Sequence, residues 1–322
     1  MLNPDLKLNQ KMFDNDVEQV PIRKDFGEGL TLAADADKRV VGVCADLTES
    51  THMLPFKQKY PDRFLEMGVA EQNLAAVASG MAAMGKIPFI TSYAMFSPGR
   101  NWEQIRTTIA YNNQPVKIAG SHAGVSVGPD GGTHQAIEDI AILRVIPRMV
   151  VISPCDSIEA RKATLAAAKT TDPTYIRLAR EKTPVMTTSD TPFEIGKARM
   201  FFTPAEKKYK KGEQGTKYDA VIIATGALLH KALSAVHKLA AEGKSVAVMN
   251  LATIKPLDSE AVIRLANEAG AIITVEEHQI HGGMGSAVAE CLAAHCPTPI
   301  EFIGVKDLFG QSGKPDELIE HY

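Results

Sequence analysis

Two histidines and an aspartate share one glycine-rich run, Gly120-Ser121-His122-Ala123-Gly124-Val125-Ser126-Val127-Gly128-Pro129-Asp130-Gly131-Gly132-Thr133-His134, directly after a predicted strand. Glycines let a backbone turn tightly and approach a ligand, while His and Asp are the usual groups for hydrogen bonding and proton handling. In open α/β sheets ligands lie at the carboxyl ends of strands, where such a loop would stand. The same histidines could also do no more than satisfy backbone groups. A metal shell is disfavoured, because His122, Asp130 and His134 lack the tight spacing of a known ligand set. Glu71, in Gly68-Val69-Ala70-Glu71-Gln72-Asn73, opens a helical pattern. A first-turn glutamate also simply complements the helix dipole, so by itself it decides nothing. In Tyr93-Ala94-Met95-Phe96 two aromatics follow a strand end, a placement that alone belongs more often to a core than to a ligand platform.

The elements that must position these residues alternate short β-branched runs with helical patterns, the signature of a sheet with helices on its faces. Arg39 to Cys44, Ile87 to Ser92, Val116 to Gly120, Met149 to Ser153 and Thr174 to Leu178 read as strands. Val69 to Met84 places Leu74, Val77, Ala78 and Met81 on one helical face, and Ser157 to Lys169 is a second, Ala-rich amphipathic stretch. Periodicity fades from Lys182 to Lys217 into Thr, Pro, Lys and Gly, with a solvated cluster at Lys207, Lys208, Lys210 and Lys211, which predicts a linker, with room for a hairpin. A second α/β pattern starts at Tyr218, with strands at Ala220 to Thr225, Ser245 to Asn250 and Ala271 to Glu276, and helices at Leu228 to Ala241, near Ala261 to Glu268, and after Gly285. The expected division is 1–190, a linker over 191–217, and 218–322.

Bulk properties narrow the function. The 322 residues suffice for two full cores, and a net charge of -3 with interspersed signs gives no basic stripe for nucleic acid or an anionic membrane. Cys44, Cys155, Cys291 and Cys296 have neither zinc-site pairing nor the density of a disulfide scaffold, so reduced thiols are expected. Met1 to Val20 has no apolar core of a secretory signal, and no apolar run reaches membrane-spanning length, so a cytoplasmic protein is expected.

Together the segments resemble the transketolase family, in its pyrimidine-binding and C-terminal domains. The resemblance runs over nearly the whole chain, through Arg23-Lys24, Ala45-Asp46-Leu47-Thr48-Glu49-Ser50, Phe64 to Asn73, the Gly120 to His134 loop and Ile176-Arg177-Leu178-Ala179-Arg180. It continues through Thr253-Ile254-Lys255-Pro256-Leu257-Asp258, Val275-Glu276-Glu277-His278, His281-Gly282-Gly283-Met284-Gly285 and Ser312-Gly313-Lys314-Pro315. The resemblance implies two open α/β domains with largely parallel sheets, and thiamine diphosphate-dependent transfer of a two-carbon ketol unit between sugar phosphates in the pentose phosphate pathway. It implies that Glu71 meets the aminopyrimidine ring nitrogen of the cofactor and promotes the imino tautomer, which deprotonates the thiazolium carbon. Tyr93 and Phe96 fall where the family packs aromatics on the pyrimidine, and Asp46 matches a subunit-contact residue beside the cofactor. Arg23, Ser50, His122 and Arg180 match the residues that read substrate phosphates, a task suited to charge-assisted guanidinium bonds. Asp130 and His134 match residues on substrate hydroxyls near the reacting carbons.

The chain departs from full-length members of the family, whose diphosphate-binding domain carries a Gly-Asp-Gly motif; no Gly-Asp-Gly occurs here. The expectation is therefore a split transketolase, in which an N-terminal partner subunit holds the diphosphate and its Mg2+ or Ca2+, in an A2B2 assembly. Ser97-Pro98-Gly99-Arg100 looks extended relative to many relatives, and the chain ends inside a terminal helical pattern, so a trimmed or frayed C-terminal edge is expected. Rival readings are the beta subunit of a 2-oxo-acid dehydrogenase, which usually lacks the His122 to His134 pattern, and deoxyxylulose phosphate synthase, which shares Asp-Gly-x-Thr-His but not the Gly-Ser-His start. A non-catalytic partner subunit is a third, against which the joint presence of Glu71, Asp130, His134 and Arg180 argues.

Overall fold

The computed structural model describes residues 1–204 and 215–322. Among them one sheet has seven strands, ordered edge to edge Thr253–Lys255, Val150–Ile152, Thr174–Ala179, Lys117–Ala123, Ile87–Tyr93, Val40–Cys44 and Phe64–Glu66. Every pairing is parallel except that of Thr253–Lys255 with Val150–Ile152. Val40–Cys44 is buried at every position, as a strand covered on both faces must be, which explains its unbroken apolar sequence. Ile22–Ala36 and Ser157–Ala168 cover one face through Phe26, Leu30 and Ala160. Glu71–Ala83, Ile105–Ala110 and Asp139–Arg144 cover the other through Leu74, Ile109 and Ile140.

The second sheet runs Ile300–Val305, Ile272–Gln279, Ala220–Ala224, Val246–Asn250 and Arg199–Phe202, parallel except for the last. Its helices Ser259–Glu268 and Met284–His295 contribute Val262, Leu265, Val288 and Leu292 to the same apolar cluster that holds Ile118, Val151 and Tyr175 of the first sheet. The two halves therefore share one continuous core.

Both sheets are largely parallel, as read from the sequence, but segments cross the expected boundaries. Leu6, Leu8 and Met12 pack with Phe202, Ile222 and Leu229 of the second unit, and Thr253–Lys255 closes the first sheet. Two described segments of the supposed linker are strands: Lys182–Pro184 pairs with Gln19–Pro21, and Arg199–Phe202 edges the second sheet. Lys207, Lys208, Lys210 and Lys211 lie outside the described residues. No helix among those described is long and apolar enough to cross a membrane.

Candidate active site

Glu71, Tyr93, His122 and Arg180 all stand at or just past the carboxyl ends of strands Phe64–Glu66, Ile87–Tyr93, Lys117–Ala123 and Thr174–Ala179. Asp46 and Ser50 follow Val40–Cys44, so one rim of the first sheet gathers the candidates. Glu66 ties that rim together: its carboxylate accepts from the Asp46 N–H at 2.6 Å, the Thr48 hydroxyl at 2.8 Å and the Gly68 N–H at 3.3 Å.

Glu71 is the first residue of helix Glu71–Ala83 and is 1% exposed. A carboxylate there is favoured by the unpaired N–H groups and dipole of the helix start, but burial still requires partners. Ser92 donates to Oε1 at 3.1 Å and Arg100 Nη1 to Oε2 at 2.6 Å, while Asn101 donates to the Glu71 carbonyl at 2.9 Å. Strand, helix and the following turn thus converge on one carboxyl group.

Beside it the rings of Tyr93 and Phe96 are near-parallel, 6.2 Å apart, and Tyr93 stacks on His122 at 3.9 Å. His134 meets both edge-on, 5.4 Å from Phe96 and 6.4 Å from Tyr93. The Ser121 hydroxyl lies 2.8 Å from His122 Nδ1. Burial pushes the His122 pKa down to about 3, aided by the positive charges of Arg23 and Arg180 and by His52 and His134. Burial thus favours the neutral ring, and the Ser121 hydroxyl and Nδ1 share one hydrogen bond whose direction follows the ring's tautomer.

Arg23, the second residue of helix Ile22–Ala36, donates through Nε to the Ser50 carbonyl at 3.0 Å, whereas its buried Nη1 has no partner. Burial and then the positive charge of Arg180 lower its pKa. A buried donor without a partner, in the field of a second cation, is complementary to an anion. Arg180 is held by donating to the Val127 carbonyl at 2.6 Å and by a 3.3 Å ion pair with Glu181. Asp46 and Asp130 are exposed at the rim, Asp46 held there through its backbone N–H to Glu66.

The second unit braces the glycine-rich loop. Ser126 N–H donates to Glu277 Oε1 at 2.6 Å, Gln135 Nε2 donates to the Gln311 carbonyl at 3.0 Å, and Val125 packs with Val305 and Leu318. Gly124, at φ +91, has no room for a side chain, since a Cβ would fall 2.2 Å from Glu277 Oε1. Beneath the loop, Arg177 donates to Asp139 at 2.8 Å, to the Ala136 carbonyl at 3.2 Å and to the Glu277 carbonyl at 2.8 Å, all buried.

Ser92, Arg100, Asn101 and His52 escaped the sequence reading. His52 is half-buried, in left-handed backbone at φ 58, and burial followed by Arg23 and Lys24 lowers its pKa. For Arg100 a signal existed: it stands four residues after Phe96, the spacing that puts two side chains on one face of a helical turn.

The transketolase pyrimidine-binding domain matches residues 18–186 and the transketolase C-terminal domain residues 211–322. A 6-deoxy-6-sulfo-D-fructose transketolase subunit of Clostridium sp. is 38% identical over 96% of this chain and 92% of its own length. An apulose-4-phosphate transketolase subunit of Phocaeicola vulgatus is 35% identical over 94% of this chain and 93% of its own. Among solved structures, a split gene transketolase described as an inactive beta4 tetramer superposes with a TM-score of 0.83 at 39% identity, covering 94% of this chain and 93% of that one. With both domains matched in order and separate subunits aligned nearly end to end, the chain belongs to the transketolase family, in its branch of split C-terminal subunits.

Proposed function

We propose that this subunit completes a thiamine diphosphate-dependent transketolase when joined to an N-terminal subunit, in an A2B2 heterotetramer, moving two-carbon ketol units between sugar phosphates. The observation that carries the reading is the convergence of the buried Glu71 carboxyl, the Tyr93 and Phe96 rings and the Arg23 and Arg180 cations at one sheet rim. The donor set fits the pyrimidine end of the cofactor: a buried carboxyl group at the edge of an aromatic shelf. Its diphosphate, with Mg2+ or Ca2+, falls to the partner in this reading. When bound, thiamine diphosphate supplies the nucleophilic carbon and the electron sink for cleavage of the ketose.

This chain's residues do the rest. Glu71 exchanges a proton with the pyrimidine ring nitrogen, held in place by Ser92. Tyr93 and Phe96 exclude water from that ring. Arg23 Nη1, Arg180, Ser50 and the neutral His122 hold the substrate's anionic end, and His134 and Asp130 orient its hydroxyls. Asp46 meets the partner beside the cofactor. The relatives named for a sulfo-sugar and for a sugar phosphate support an anionic sugar, and the inactive beta-only tetramer supports the need for a partner. A place in the cytoplasmic pentose phosphate pathway is part of the same proposal.

The test is to co-produce the chain with a diphosphate-binding subunit and assay ketol transfer from xylulose 5-phosphate, expecting activity in the mixture and none from this chain alone. Glu71→Gln in that complex should slow exchange of the thiazolium C2 hydrogen for deuterium by about 10²-fold or more. Exchange at the unaltered rate, followed by NMR, would remove Glu71 from its role.

A further inference from the structure

Arg100 covers the carboxylate that the proposed function needs free. Its Nη1 donates to Glu71 Oε2 at 2.6 Å, and its guanidinium carbon lies 4.8 Å from the centre of the Phe96 ring. The two partners differ in freedom, because the Glu71 side chain is 1% exposed and that of Arg100 is 46% exposed. One is fixed in the protein and the other can leave into solvent.

The local backbone is built to deliver Arg100 here. The Arg100 N–H donates to the Phe96 carbonyl at 2.9 Å, closing a helical turn that aligns the two side chains. At Gly99 a Cβ would fall 2.0 Å from the Met95 carbonyl oxygen, so the turn is too tight for any side chain at that position. Asn101 then anchors the far side of the turn to the Glu71 carbonyl.

A guanidinium has only donors, so the Glu71 oxygen it holds must serve as an acceptor. The same cation sits against the Phe96 ring, on which a pyrimidine would stack. A single half-exposed side chain thus occupies both the carboxyl oxygen and the aromatic surface. It also compensates a charge that would otherwise be buried alone, which is costly in an empty site.

Resting on the function proposed above, we infer that Arg100 is a displaceable cover: it fills the pyrimidine place and neutralises Glu71 in the unassembled subunit, and swings out when the aminopyrimidine ring arrives. Cofactor binding must then break the Arg100–Glu71 pair, and removing Arg100 makes binding easier.

The experiment titrates thiamine diphosphate with Mg2+ into the two-subunit complex by calorimetry. Arg100→Met should lower the apparent Kd about fivefold, the scale of a half-exposed ion pair, and Arg100→Lys should fall between it and the unaltered complex. In the Glu71→Gln background the gain from Arg100→Met should vanish, which a merely structural role for Arg100 would not produce. Unchanged or weaker binding by Arg100→Met overturns the inference, as does an equal gain in the Glu71→Gln background. Circular dichroism checks the fold, and Arg100→Gln carries the same test if the methionine variant is unfolded. If the unaltered complex binds no thiamine diphosphate, the functional reading itself fails, and the cover falls with it.

Discussion

Replacing Arg177 with methionine keeps most of its length while removing its donations to Asp139 Oδ2, the Ala136 carbonyl and the Glu277 carbonyl. Asp139 is then left with the Tyr175 hydroxyl, which donates to the same Oδ2 at 2.6 Å, while its buried Oδ1 already has no partner. The side chains of the pair are 6% and 1% exposed, so water cannot replace the lost cation. Breaking a buried pair from one side costs about 3–5 kcal/mol, because a lone charge stays behind. At roughly 2 °C per kcal/mol for a chain of this size, the thermal midpoint should fall by about 6–10 °C. Adding Asp139→Asn, which removes the stranded charge and keeps an acceptor for Tyr175, should restore at least half of that loss. The freed carbonyls lie at the ends of the braces under the His122–His134 loop, so KM for phosphorylated sugars should rise in the reconstituted complex. Differential scanning calorimetry reads the first effect. A drop below about 2 °C, or a double variant that melts at the sum of the two losses, would refute the lone-charge reasoning.

Arg180→Ala should raise KM for a phosphorylated donor far more than for a non-phosphorylated one with kcat little changed, and equal effects on the two donors would reject the phosphate assignment. His278 is buried with its pKa down at about 4, burial being the main cause. Between the ordinary histidine value near 6.5 and about 4 the unfolded chain binds a proton that the native chain does not, so its contribution to stability is full above that window and lost as pH falls through it. His278→Gln should flatten the fall in urea-unfolding free energy over pH 6.5 to 4 by up to about 1.4 kcal/mol per pH unit, and an unchanged slope would show that His278 takes up its proton equally in the native and unfolded states.

Most of the strand and helix order was legible because parallel strands buried on both faces leave apolar runs that need no partner to be recognised, as in Val40–Cys44. Helix Ile22–Ala36 was not, since Gly27 and Gly29 break its propensity. Those glycines serve tertiary contact: a Cβ on Gly27 would fall 2.1 Å from the His52 carbonyl, and one on Gly29 3.0 Å from the Arg161 carbonyl of helix Ser157–Ala168. Thr253–Lys255 read as a motif and not as a strand because its pairing partner lies about a hundred residues away in the other unit. At the site, His122 stood out in its glycine-rich run and Glu71 at a helix start, with roles implied only by the family resemblance, whereas Arg100 depends on the path of one turn. The spacing of Phe96 and Arg100 hints at their contact, but only the fold brings Glu71 to the same guanidinium.

The second unit's part in the site follows from the backbone of the loop. His122 is left-handed at φ 56, and Gly124, Gly128 and Gly131 have φ of +91, +84 and +74. A non-glycine residue in that region costs about 1–2 kcal/mol, and beyond strand Lys117–Ala123 the loop's own backbone bonds are few, such as Gly131 N–H to the Gly128 carbonyl and His134 N–H to the Gly131 carbonyl. Further ties come from the second unit: Glu277 on Ser126, Gln311 on Gln135, and Ser312 and Pro315 packed where side chains on Gly131 and Gly128 would stand. Glu276, whose pKa burial lifts to about 7, accepts from the N–H groups of Met284 and Gly285 and so anchors the strand carrying Glu277 to the start of helix Met284–His295. The second unit thus braces the loop that carries His122 and His134, and under the proposed function damage to Glu277 should appear first as lost substrate affinity.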